Sequence, residues 1–169
     1  MLSEPRIEQR DELRYAAIPA RATTVTIPTE LPPLIPEVFG WLAEQGVAPA
    51  GPPFFRYLVI DMAGDLDVEV GVPVATQVTA NGRVLAGSFP AGRYATAVHT
   101  GPYDELGDAT RQLLAWAKES GVVFQVRETE AAGDTWAGRA EFYLTSPDEE
   151  PDPQRWLTEL AFLVAEAGI

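Results

Sequence analysis

The chain has 169 residues, 46% of them apolar, and 25 acidic against 12 basic side chains give a formal charge of -13. That length supports one sizeable core or two small fused halves, and the negative charge disfavours sequence-independent attraction to nucleic-acid phosphates. With no cysteine and one histidine, His99, disulfides, thiolate zinc sites, cysteine nucleophiles and multi-histidine metal centres are excluded, and no cofactor is expected.

The opening Met1-Leu2-Ser3-Glu4-Pro5 lacks the basic and apolar regions of a signal peptide. No apolar run approaches the ~20 residues of a membrane span, so a cytoplasmic protein that does not engage the membrane is expected. Residues 1–13 read as a charged, unpatterned lead-in or a short edge segment. From Tyr15 to Ile27 the chain reads as extended, with Val25 and Ile27 alternating with Thr24 and Thr26 and a break expected at Pro19. Leu34, Val38, Trp41 and Leu42 recur at helical spacing, Pro36 is tolerable in the first turn, and Gly46 sits where a C-terminal cap belongs. The aromatic and β-branched run Phe54 to Ile60 then reads as a strand. A turn candidate at Asp61 to Asp65 follows, and Asp67 to Val72 alternates with period two, its valines on one face.

Val84 to Ala86 follows the Asn81-Gly82 turn dipeptide and leads into the extended run Tyr94 to His99. Gly101 and Pro102 mark a helix start with Asp104 and Glu105 in its first turn. Leu106, Ala109, Leu113, Trp116 and Ala117 form its apolar stripe, and Gly121 closes it. Strands are expected at Val122 to Val126, Arg139 to Leu144 and Thr158 to Val164, with the acidic, proline-rich loop Ser146 to Pro153 between the last two. On the helix stripes, Trp41 and Trp116 read as core packing, and His99 reads as a structural hydrogen-bonding residue.

Two clusters match: Trp41-Leu42-Ala43-Glu44-Gln45-Gly46-Val47 and Trp116-Ala117-Lys118-Glu119-Ser120-Gly121-Val122. Around them Tyr15-Ala16 matches Tyr94-Ala95, Tyr57-Leu58 matches Tyr143-Leu144, and Glu69 to Val74 matches Glu159 to Val164. The shared order suggests a repeated strand-helix-strand-strand unit, module one at about 14–76 and module two at about 82–169, within a single domain at 14–169. Residues two apart on a strand face the same way, so Phe55 joins Tyr57 and Glu141 joins Tyr143. If the helices cover the valine-rich face, these four line the remaining face together with Glu69, Gly71, Glu159 and Ala161 from adjacent strands. Trp136 could fold over that groove as a lid. Rings flanking a carboxylate suit flat, hydrophobic cations, whereas a desolvated glutamate could instead act as a general acid or base. Glu141, in the apolar setting of Ala140, Phe142, Tyr143 and Leu144, is the leading candidate.

The segments Gly92-Arg93-Tyr94-Ala95, His99-Thr100-Gly101-Pro102-Tyr103, Glu141-Phe142-Tyr143-Leu144 and Trp156-Leu157-Thr158-Glu159-Leu160 resemble the GyrI-like small-molecule-binding domains, also found as effector-binding domains of multidrug-sensing regulators. The resemblance implies an α+β fold: two β-α-β-β modules related by a pseudo-twofold axis, a curved antiparallel sheet with helices on one face, and a central cleft for diverse, often cationic, drugs. It implies a pocket glutamate at Glu141. Some members of that family hydrolyse cyclopropane-bearing toxins, which would make Glu141, with Tyr143, catalytic; others sequester compounds or protect DNA gyrase, which makes gyrase a conceivable partner. No DNA-binding region precedes the domain here, so a freestanding binder is expected, non-enzymatic in preference to hydrolytic.

Overall fold

A computed structural model of the chain describes residues 1–61, 64–128 and 133–166. Ten strands are defined among them: β1 (Arg6–Arg10), β2 (Leu13–Ala22), β3 (Phe54–Ile60), β4 (Leu66–Pro73), β5 (Leu85–Phe89), β6 (Gly92–Thr100), β7 (Val126–Arg127), β8 (Asp134–Trp136), β9 (Arg139–Tyr143) and β10 (Leu157–Leu163). The helices are α1 (Ile27–Glu30), α2 (Leu34–Gln45) and α3 (Leu106–Glu119). Strands join in the order β1-β6-β10-β9-β3-β4-β2-β5, with β8 attached to β3 and β7 to β8, in a sheet that curls into a half-barrel. None of the described helices is long and apolar enough to cross a membrane.

The register shows how the two halves of the sheet meet. In the antiparallel β3–β9 pair Phe55 faces Glu141. Outward from Phe55 come Val70 and then Ile18; outward from Glu141 come Leu160 and then Ala97. The strand pairing therefore runs symmetrically outward from the Phe55–Glu141 pair. The leading strands exchange sides: β1 closes the edge of β6, and β5 closes the edge of β2. Residues 6–10 of the expected lead-in are therefore a strand of the sheet.

All six residues in that row share one face, and both long helices cover it. On α2, Val38 and Leu42 pack with Ala16, Ile18, Val72 and Val74. On α3, Leu106, Ala109 and Leu113 pack with Ala95, Ala97, Leu160 and Phe162. Gly46, at φ 69°, caps α2 by donating to the Ala43 and Leu42 carbonyls, a left-handed conformation that glycine adopts without steric cost. The opposite face buries a second core of Tyr15, Phe54, Phe89, Tyr94, Phe142, Ala161 and Leu163.

Three local expectations change. The extended run expected to reach Ile27 ends at Ala22: the Thr23 amide donates to Thr26 Oγ1 (2.8 Å) and the Ile27 amide to the Thr23 carbonyl (3.1 Å), so threonine hydroxyls turn the chain into one helical turn. No break occurs at Pro19, which pairs with Glu69 inside β2 beyond the last residue covered by β5, at an edge where a missing N–H is tolerated. The strand expected over Val122 to Val126 reduces to Val126–Arg127, with Phe124 bridging Val164. The centre of the turn expected at 61–65 and the end of module two lie outside the described residues.

Candidate functional site

Four of the residues singled out in the sequence converge on the helix-covered face, at the seam between the modules. The Tyr57 hydroxyl donates to Glu141 Oε1 at 3.0 Å, and the Tyr143 hydroxyl donates to the same oxygen at 2.8 Å. Tyr57 reaches it from β3 and Tyr143 from β9, two residues along the same face from Glu141. Phe55 meets the Tyr143 ring edge-on at 4.9 Å. Tyr143 and Ile60 pack against the apolar clusters under both helices, which puts the carboxylate where the two halves join.

Glu141, Tyr57 and Tyr143 are all half-buried. Even so, burial pushes the Glu141 carboxyl above the usual carboxylate range, against the opposing pull of both tyrosine hydroxyls and the Arg139 guanidinium. Burial, reinforced by the neighbouring carboxylate, holds both tyrosines well above their ordinary values, so they stay protonated donors. The carboxylate is thus largely desolvated although its residue keeps some exposed surface.

Residues that sequence reasoning left out of the site complete its wall. The Tyr103 ring lies 5.5 Å from Tyr143 and 4.6 Å from Trp156, whose indole N–H donates to the Glu150 carbonyl at 2.7 Å. Both rings stand in segments that carry the family resemblance, and that was the signal available. Arg139, two residues before Glu141, lies with its guanidinium against the Trp136, Phe162 and Tyr57 rings. Strand alternation alone would have placed it there.

The other expected lining residues do not share this surface. Glu69, Gly71, Glu159 and Ala161 lie on the opposite face, because Val70 pairs with Phe55 and Leu160 with Glu141. There Glu69 accepts a short hydrogen bond from the Tyr15 hydroxyl, which itself accepts from Arg56 at 2.7 Å. Arg56 also donates to the Ser88 and Ala137 carbonyls at 2.7 Å each. Glu159 accepts from Arg10 at 2.8 Å. A Cβ on Gly71 would lie 2.6 Å from Phe54 Cζ and 2.8 Å from the Ala16 carbonyl oxygen, so glycine permits that close approach. Ala161 is 2% exposed within the aromatic core. Trp136 is no lid: it is 8% exposed and packs at 5.7 Å on Phe162 and 5.8 Å on Phe124. His99 is buried 3.3 Å from the Glu105 carboxylate, at the strand end before α3.

Two hollows lie elsewhere. An open depression of about 380 Å³ is lined by Arg21, Val59, Asp61, Gly64, Asp65 and Asp67 and has no ring in its wall. A void of about 20 Å³ on the opposite face, between Arg10, Phe89, Tyr94 and Phe142, is the size of a single water.

The family model described as GyrI-like small molecule binding domain matches residues 3–165. No curated protein matches the chain. Among solved structures, the C-terminal domain of EcmrR is 20% identical over 97% of this chain and 98% of that one, with a TM-score of 0.77. EcmrR in its DNA complex is 21% identical over 97% of this chain, also at 0.77, and the chain spans 58% of its length. SAV2435 bound to tetraphenylphosphonium is 9% identical over 97% of this chain and 95% of that one, at 0.60. At these identities the structural likenesses establish the fold.

Proposed function

The chain belongs to the GyrI-like small-molecule-binding domain family, and from that premise we propose that it binds diverse hydrophobic aromatic compounds, cations included, at the ring-lined seam around Glu141. The observation that carries this reading is the carboxylate held through one oxygen by Tyr57 and Tyr143, at a seam walled by Phe55, Tyr103 and Trp156. Each ring face offers a cation roughly 0.5–2 kcal/mol, and ring contact depends on area more than on direction, which suits ligands of varied shape. The neighbour SAV2435 was solved with a hydrophobic cation, which agrees with this chemistry. The rings around Glu141 touch one another, so a ligand gains access by parting contacts such as Tyr103 with Tyr143.

Fluorescence titration of Glu141→Gln with a cationic dye and a neutral analogue tests the reading. The cation is expected to lose about tenfold or more in affinity, because a desolvated charge has lost its partner, while the neutral analogue changes little. Equal losses would remove the charge role, and absence of saturable binding in the wild type would remove the reading itself.

The raised proton affinity of Glu141, beside two hydroxyl donors, also favours a second reading in which it activates water or protonates a leaving group on an electrophilic ligand. Incubation with cyclopropane-bearing toxins, followed by mass spectrometry, separates the two readings: multiple turnovers of hydrolysed product select the hydrolase, and unchanged toxin selects the binder.

A further inference from the structure

Glu141 is not the only charge beneath the rings. Arg139 precedes it by two residues on β9, so both side chains leave the strand on the same face with Cα atoms about 7 Å apart. The guanidinium carbon lies 4.6 Å from the centre of the Trp136 ring, 4.7 Å from Phe162 and 5.9 Å from Tyr57. These are contacts of the kind a cationic ligand would seek, and a resident side chain already makes them.

Packing does not require a charge at that position. An aliphatic chain would fill the gap between Trp136 and Phe162 without the desolvation that draws the guanidinium below its ordinary value. A guanidinium nonetheless stays charged at neutral pH. Arg139 and Glu141 also act on each other through space: the cation favours the ionised carboxyl, and the carboxylate favours the charged guanidinium. A ligand cation approaching Glu141 therefore meets attraction from one group and repulsion from the other.

We propose that Arg139 is the specificity-determining residue of this seam, a built-in counter-cation that offsets Glu141 so that uncharged aromatic compounds are admitted alongside monocations. This inference rests on the binding reading above. It assigns the charge preference of the site to the Arg139 and Glu141 pair rather than to the glutamate alone.

The test compares acridine, uncharged in mildly alkaline buffer, with N-methylacridinium, which has the same ring system and a permanent positive charge. The readout is the ratio of their dissociation constants within each protein, so a general loosening of the fold cancels. Removing the counter-cation in Arg139→Met is expected to shift the ratio about tenfold toward N-methylacridinium, and Arg139→Lys, which keeps the charge, is expected to retain the wild-type ratio. Arg139→Gln replaces Arg139→Met should the latter not fold. A wild-type ratio in the neutral variant overturns this proposal and leaves the binding reading standing. Failure of the wild type to bind either dye overturns both.

Discussion

Phe55 and Glu141 face each other across the β3–β9 pair, so a ring and a carboxylate meet at the centre of the sheet. Tyr57 from β3 and Tyr143 from β9 both donate to the same oxygen of that carboxylate, so the β3–β9 pairing gives two hydroxyls one shared acceptor.

Burial raises the proton affinity of Glu141 in the folded state above that of an ordinary carboxylate. The folded protein then holds this proton more tightly than the unfolded chain does. The side chain's contribution to stability therefore falls as pH rises through the carboxylate range and has fallen fully once the folded-state group is ionised. Relative to wild type, Glu141→Gln is expected to gain stability from acid toward neutral pH in urea unfolding at matched pH values. A flat or declining difference would show that ionising Glu141 costs the fold nothing.

Tyr57→Phe and Tyr143→Phe each remove one donor while keeping the ring. Each is expected to cost about 1.5–3 kcal/mol once Glu141 is ionised, in the range for hydrogen bonds to a charged group, and less in acid, where the carboxyl is protonated. Because both hydroxyls serve Oε1, the double variant should depart from the sum of the singles in a double-mutant cycle. Strict additivity would mean that the two donors act independently.

Gly71→Ala places a methyl group 2.6 Å from Phe54 Cζ and 2.9 Å from the Ala17 Cβ, on the face of the sheet opposite Glu141. Overpacking there is expected to cost about 1–3 kcal/mol in denaturant unfolding, while dye affinity is retained. Lost dye binding with intact stability would instead make Gly71 part of the ligand surface.

Of the four tryptophans, Trp156 is the one stacked on Tyr103 at the rim. Trp156→Phe is expected to abolish most of the change in intrinsic fluorescence on dye binding. Trp41→Phe, on the helix of module one, should leave it intact. The opposite pattern would move the ligand away from the seam.

Much of this arrangement was legible in the residues. Strand alternation put Phe55 with Tyr57 and Glu141 with Tyr143, and the folded chain brings these four together. Helical spacing placed Val38 and Leu42, and later Ala109 and Leu113, on buried stripes, with Gly46 at the end of the first helix. Each of these is a local property, set by the period of the backbone or by the φ angle that glycine permits.

What the residues could not supply was the relation between neighbouring strands. Alternation within β4 says that Glu69 and Gly71 share a face and that Val68 and Val70 share the other, but it does not say which pair stands beside Phe55. One residue of register decides that. In the folded chain Val70 lies opposite Phe55 and Leu160 opposite Glu141, so the valines join the rings under the helices. Glu69 and Glu159 turn instead to hydrogen bonds with Tyr15 and Arg10 on the far side. The choice depends on burying two faces at once, each with its own helices or rings to satisfy, and only the assembled sheet resolves it. Alternation along single strands thus determined which side chains travel together, and tertiary packing determined that Glu141 ends up between the helices.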